Sequence, residues 1–211
     1  KDLTLEATDT SIGVNGGGKQ DATNDDDVVN FTAATTWHGA KAVTSGLVIA
    51  TGAAHKTITL AFAERVLEAT GTMTLKVNEY VYLTGTLSFN KGTQVTATLG
   101  TKTNNKADTK LMNLMTVSGS DLYGFVGHSF TQFAAKTEET LGRGNKVTVR
   151  KPNAQAVGLY LSGVSFGLAL LKERAATDVS YYALQANASA TGLCGVKGLT
   201  LEATDISIGA N

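Results

Sequence analysis

The chain has 211 residues, enough to bury a core as one domain or two small ones, and is 42% hydrophobic but only 17% charged, with Thr, Ala and Gly filling the gap. Its 18 basic and 18 acidic residues cancel, which argues against a general electrostatic pull toward nucleic acid or anionic membrane and lowers the barrier to self-association. The single Cys194 excludes a disulfide scaffold, and no apolar run approaches the ~18 residues of a membrane-spanning helix.

From the N-terminus onward, period-two alternation dominates. An acidic, glycine-rich loop, Gly16–Asp27, interrupts it early. Ile58, Leu60 and Phe62 then alternate with threonine and alanine. Leu67, Ala69, Gly71, Met73, Leu75 and Val77 share one face of the clearest run, opposite Glu68, Thr70, Thr72, Thr74 and Lys76. Asn78-Glu79 predicts a tight hairpin into Val81, Leu83, Gly85, Leu87 and Phe89. Asn90-Lys91-Gly92 reads as a turn into a third strand carrying Val95, Ala97 and Leu99. A basic, polar loop covers Gly100–Lys110, and the less regular Phe130–Lys151 stretch predicts a short helix near Thr131–Leu141. Alternation resumes at Val157, Leu159 and Leu161, passes a Ser162-Gly163 step, and continues through Val164, Phe166, Leu168 and Leu170. A polar turn at Lys172–Asp178 precedes Tyr182, Leu184, Ala186 and Ala188. The expected fold is all-β: a long antiparallel meander, curled or solenoid-like, with one apolar and one Thr-rich face.

Lys1–Asn15 reads KDLTLEATDTSIGVN and Lys197–Asn211 reads KGLTLEATDISIGAN, so 12 of 15 positions match at an offset of 196 residues. Only Asp2/Gly198, Thr10/Ile206 and Val14/Ala210 differ. This predicts one β-rich repeat over residues 1–196 and the start of the next copy over 197–211, in a longer repetitive polypeptide or an array of neighbouring subunits. The expected interface residues are Leu3, Leu5 and Ala7 at one end and Leu199, Leu201 and Ala203 at the other. Leu-Glu-Ala-Thr also recurs at residues 67–70; that copy reads either as a shorter duplication or as common strand composition.

Site chemistry is sparse. Asp21, Asn24, Asp25, Asp26 and Asp27 offer the clustered hard oxygens that Ca²⁺ prefers, although their spacing matches neither an EF-hand nor a Gly-Gly-x-Gly-x-Asp nonapeptide. An acidic, glycine-rich turn of this kind is more often simply solvated. His38, His55 and His128 lack metal-ligand spacing. Cys194, in a small and apolar stretch, reads as a packed hydrophobe rather than a nucleophile. Gly142-Arg-Gly144 reads as a turn, because a phosphate loop needs a strand–turn–helix context. Tyr80, Tyr82, Phe89 and Tyr160 offer either a stacking platform or ordinary cross-strand packing. Asn30-Phe-Thr and Asn187-Ala-Ser fit the glycosylation sequon. No catalytic constellation stands out, so no enzyme is expected and no cofactor beyond the Ca²⁺ candidate.

Several phrases resemble the tandem β-rich repeats, roughly 200 residues long, of giant bacterial cell-surface and adhesin-like proteins. Leu161-Ser-Gly-Val-Ser-Phe-Gly-Leu-Ala-Leu170 looks like their LSGVxFGLAL strand, and Leu67–Phe89 is similar to their paired hairpin. Leu122-Tyr-Gly-Phe-Val-Gly127 and Gly198–Asn211 resemble their VxAFxG segment and closing GLTLxAxDLSVxIN strand. The resemblance implies an extracellular or cell-surface structural repeat of a filament, sheath or giant surface protein. Its partners would be copies of itself, with no nucleic acid and no membrane insertion. The alternative is an adhesive repeat whose loops bind glycan or a partner cell.

Overall fold

The computed structural model describes residues 3–17, 28–33, 46–54, 56–100, 108–140, 146–176 and 178–211. Within them the chain is all-β, its sheets are antiparallel and it has no helix. The strands are β1 Leu3–Asn15, β2 Leu47–Ala50, β3 Thr57–Leu60, β4 Val66–Val77, β5 Val81–Leu99 and β6 Asp108–His128. They continue with β7 Thr137–Thr140, β8 Lys146–Val149, β9 Val157–Glu173, β10 Ser180–Cys194 and β11 Leu201–Ala210. Seven of them form one meandering sheet in the order β1-β4-β5-β6-β9-β10-β11. β2 with β3, and β7 with β8, make two separate hairpins.

The turn at Asn78 forms because Asn tolerates a left-handed backbone (φ 49°). Val77 pairs with Val81 across it, and the Tyr80 N–H donates to the Val77 carbonyl at 3.1 Å. Two expectations are corrected. Asn90-Lys91-Gly92 does not turn: β5 runs unbroken, with a register shift between Lys91 and Gln94 and Gly92 at φ 124°. The left-handed glycine that a turn would use instead absorbs an extra residue in a bulge. The helix near Thr131–Leu141 does not form, and Leu141 itself lies outside the described residues. Thr137–Thr140 is β7, paired with β8, and Phe133 bridges to Pro152. Phe130 and Phe133 anchor this segment in the core, so tertiary packing overrides its weak helical pattern.

Ladder partners share a face. One cross-strand row reads Leu3, Val77, Val81, Val126, Leu159, Leu193, Leu201. A parallel row reads Ile12, Ala69, Phe89, Val117, Leu168, Leu184, Ala210. The apolar residues of these rows therefore lie on one side, whereas the bulge at Gly92 turns Val95, with its partner Met112, to the other. On the other side hydroxyls meet across β4 and β5: Thr70 with Ser88 at 2.7 Å, Thr72 with Thr86 at 3.2 Å and Thr74 with Thr84 at 2.9 Å.

The closed core sits on the Thr-rich side. One row of that face brings Tyr82, Phe125 and Tyr160 together. The segment between β6 and β9 folds over them and adds Phe130, Phe133, Val149 and Ala156. Phe125, 1% exposed, stacks on Phe130 with centroids 4.7 Å apart, and Tyr82 lies 5.0 Å from the same ring. The Arg150 N–H donates to the fully buried Ser162 hydroxyl at 2.7 Å, tying the cover to β9.

A crease crosses the large sheet. Asp9 in β1, Gly85 in β5, Asp121 in β6, Gly163 in β9 and Asp205 in β11 all take positive φ, at 50°, 152°, 52°, 61° and 54°. Register shifts fall beside Asp9, Gly85 and Asp121. Bulges increase local twist, and these lie side by side across the meander.

Candidate assembly surfaces

The two copies of the duplicated segment occupy opposite edges of the sheet. β1 pairs with β4 and β11 pairs with β10, so each is terminal in the sheet order among the described residues. The structure therefore does not bring the two expected interface sets together. It places Leu3, Leu5 and Ala7 at one edge, and Leu199, Leu201 and Ala203 at the other, all exposed. An edge strand offers a row of backbone N–H and C=O groups to any further strand.

The apolar face is the second surface. Leu5 is 63% exposed, Ile12 76%, Val126 58%, Leu159 54%, Leu201 59% and Ile208 59%. These residues reach from one edge of the sheet to the other, far beyond the scattered single hydrophobics of an ordinary surface.

A polar clamp holds β11 to the molecule. The Tyr160 hydroxyl donates to Glu202 Oε1 at 2.8 Å, and Lys151 Nζ lies 3.0 Å from Glu202 and 3.1 Å from Glu139. Gly192 stands between Tyr160 and Glu202 in the ladder, and a Cβ there would meet the Tyr160 ring at 2.9 Å. Its missing side chain lets the phenol cross β10 to reach β11. Burial pushes the Tyr160 phenol up, and the acceptor Glu202 pushes it further. Burial pushes the Glu202 carboxyl up, but the bonds from Tyr160 and Lys151 outweigh this and hold it below its usual value. Burial pulls the Lys151 ammonium down, and its two carboxylate partners outweigh that and raise it. Sequence reading missed this clamp, because its members come together only once the strand register is set.

The other sequence candidates fall out as follows. Asp21, Asn24, Asp25, Asp26 and Asp27 lie outside the described residues, as do His38, His55 and Gly142-Arg-Gly144. His128 is exposed at the end of β6, its Nδ1 3.1 Å from the Ser129 hydroxyl. Cys194 packs against the aromatic core, its thiol pushed up by burial. Tyr80 sits exposed in the hairpin loop, Tyr82 and Tyr160 belong to the core, and Phe89 lies on the apolar face. Asn30 closes an Asx turn, its Oδ1 accepting from the Thr32 N–H at 2.9 Å, and Asn187 is exposed on β10. At the end of the apolar face, Arg65, Lys91, Lys172, Tyr181 and Tyr182 line a groove of about 620 Å³.

No protein-family model, curated protein or solved structure matches this chain.

Proposed function

We propose that this chain is a structural repeat of an extracellular bacterial filament, sheath or giant surface protein, without catalysis, in which one sheet runs on from copy to copy. The observation that carries the reading is the placement of the duplicated segment: a single meander begins with one copy and ends with the other. The exposed apolar face supports it, since a one-sided sheet needs a cover. A continuous sheet curled with that face inward would cover it. The extracellular assignment rests on the resemblance to surface-protein repeats.

A denaturing gel with peptide mapping of the native polypeptide tests this. Peptides from many near-copies in one very large species support a covalent array. A species of single-period size that stays monodisperse at high concentration overturns the filament.

A second reading draws on the groove at the end of the apolar face. Lys91 and Lys172 beside Tyr182 combine cations with aromatic surface, a chemistry suited to an anionic glycan. An adhesive repeat would bind acidic oligosaccharides there, and lose them on Tyr182→Ala.

A further inference from the structure

We propose that β11 is shaped to lie beside β4 of a second copy of this chain, in the place and register that β1 holds. One strand is then shared between successive copies, and each period adds six strands to the sheet. This rests on the reading of the chain as a self-assembling repeat and specifies its joint.

The first argument is conformational. β1 carries one residue more than β4 between Thr8 and Ser11, and Asp9 absorbs it at φ 50°. Any strand laid against β4 must carry the same bulge. β11 already holds a left-handed residue at the same position, Asp205 at φ 54°. Its register with β10 is nonetheless unbroken from Thr204↔Ala190 to Ile206↔Ala188. The same left-handed residue thus fits β10 on one side and β4 on the other. The Thr10 methyl lies over Gly71, where a Cβ would meet it at 2.9 Å. Ile206, the residue at that position of β11, keeps the β-branched methyl.

The second argument is parity. The row that starts at Leu3 ends at Leu201, the counterpart of Leu5, and the row that starts at Ile12 ends at Ala210, the counterpart of Val14. Each crossing of the sheet therefore advances by two residues. An odd advance would turn the apolar residues of the next copy to the wrong side. An even one keeps a single apolar face across every joint.

The third argument is the clamp. Glu202 binds Tyr160 and Lys151 from the β11 side. Its counterpart Glu6 is exposed on β1, opposite Thr74. In a shared strand one glutamate serves both, facing Thr74 of its own copy and the Tyr160–Lys151 pair of the preceding one. The resulting register sets Leu201 opposite Leu75, Ala203 opposite Met73 and Ile208 opposite Ala69, as Leu5, Ala7 and Ile12 stand now.

The test releases β1 and traps β11. In the full chain with Cys194→Ala, Leu5→Pro and Glu6→Pro remove a ladder N–H whichever of the two points at β4. Met73→Cys and Ala203→Cys then report the joint under mild oxidation. A ladder of disulfide-linked oligomers is expected, with 73–203 linkage at least about tenfold above a control bearing Leu201→Cys, because two residues along a strand exceed disulfide reach. Association with the control linked equally well, or through the outer edges, overturns the shared strand and leaves the self-assembly reading standing. A chain that keeps its β circular dichroism but never associates overturns both. If the proline variant does not fold, the chain with intact β1 and Met73→Cys is equilibrated with synthetic peptides of residues 197–211 carrying Ala203→Cys or Leu201→Cys. Capture of the first over the second by about tenfold supports the register, and equal capture overturns it.

Discussion

Asp9 and Asp205 occupy the same position of the duplicated strand and hold the same left-handed backbone, φ 50° and 54°, although only Asp9 stands beside a register shift. Left-handed backbone costs an ordinary L-residue roughly 1–2 kcal/mol, and Asp and Asn are among the residues that tolerate it. Asp9→Asn is expected to leave the urea midpoint unchanged, and Asp9→Val to lower stability by about 1–2 kcal/mol. Equal stability of the two variants would show that the crease does not depend on the residue at the bulge.

The two faces of the sheet should respond oppositely to mutation. Phe125, 1% exposed and stacked on Phe130, fills the closed core. Phe125→Ala is expected to cost about 3–5 kcal/mol. Val126 and Leu159 are ladder partners on the open face, 58% and 54% exposed. Changing both to serine should move the stability of the dilute chain by less than about 1 kcal/mol while suppressing association in light scattering at high concentration. A large loss of stability in the dilute chain would mean that this face is covered within one molecule.

Much of this architecture was legible in the residues. Alternation gave the strands and grouped the apolar positions as far as Phe89 in β5, beyond which the Gly92 bulge reverses the face of Val95, Ala97 and Leu99; Asn78 marked the hairpin, and the matched 15-mers lie at the two edges. The location of the closed core was not legible. Tyr82, Phe125 and Tyr160 sit in polar-face positions of three strands far apart in sequence, and they become one row only through the β5–β6 and β6–β9 registers. Register is a non-local property, set by turns and bulges together. Gly92 shows the same limit locally, since a left-handed glycine serves a turn or a bulge equally well and only pairing with β6 decides.

The Tyr160–Glu202–Lys151 clamp should give stability at both ends of the pH scale something to lose. The Glu202 carboxyl is held below its usual value. Its contribution is complete above about 4.3, the unfolded value, and falls away as pH drops through the lower folded one. Tyr160 and Lys151 are raised, so their contributions are complete below about 10 and fade as pH climbs through the folded values. Tyr160→Phe should cost about 1 kcal/mol at neutral pH, and its difference from the parent chain should shrink above pH ~10. Urea midpoints across pH measure this, and a difference that grows in alkali would refute the assigned direction.

The shared strand also fixes a length. With six strands per period and ~4.8 Å between neighbours, successive copies advance by about 29 Å across the strands. The two-residue advance per crossing shifts each copy by about 7 Å along them. Fibre diffraction or electron microscopy of the native polymer should therefore show the ~4.8 Å strand spacing together with a longer repeat near 29 Å. Copies that fold as separate units joined by linkers would break the strand spacing at every joint, and their axial repeat would follow the dimensions of the whole domain. A repeat well above 29 Å, with no continuous strand reflection, would favour separate domains over a single running sheet.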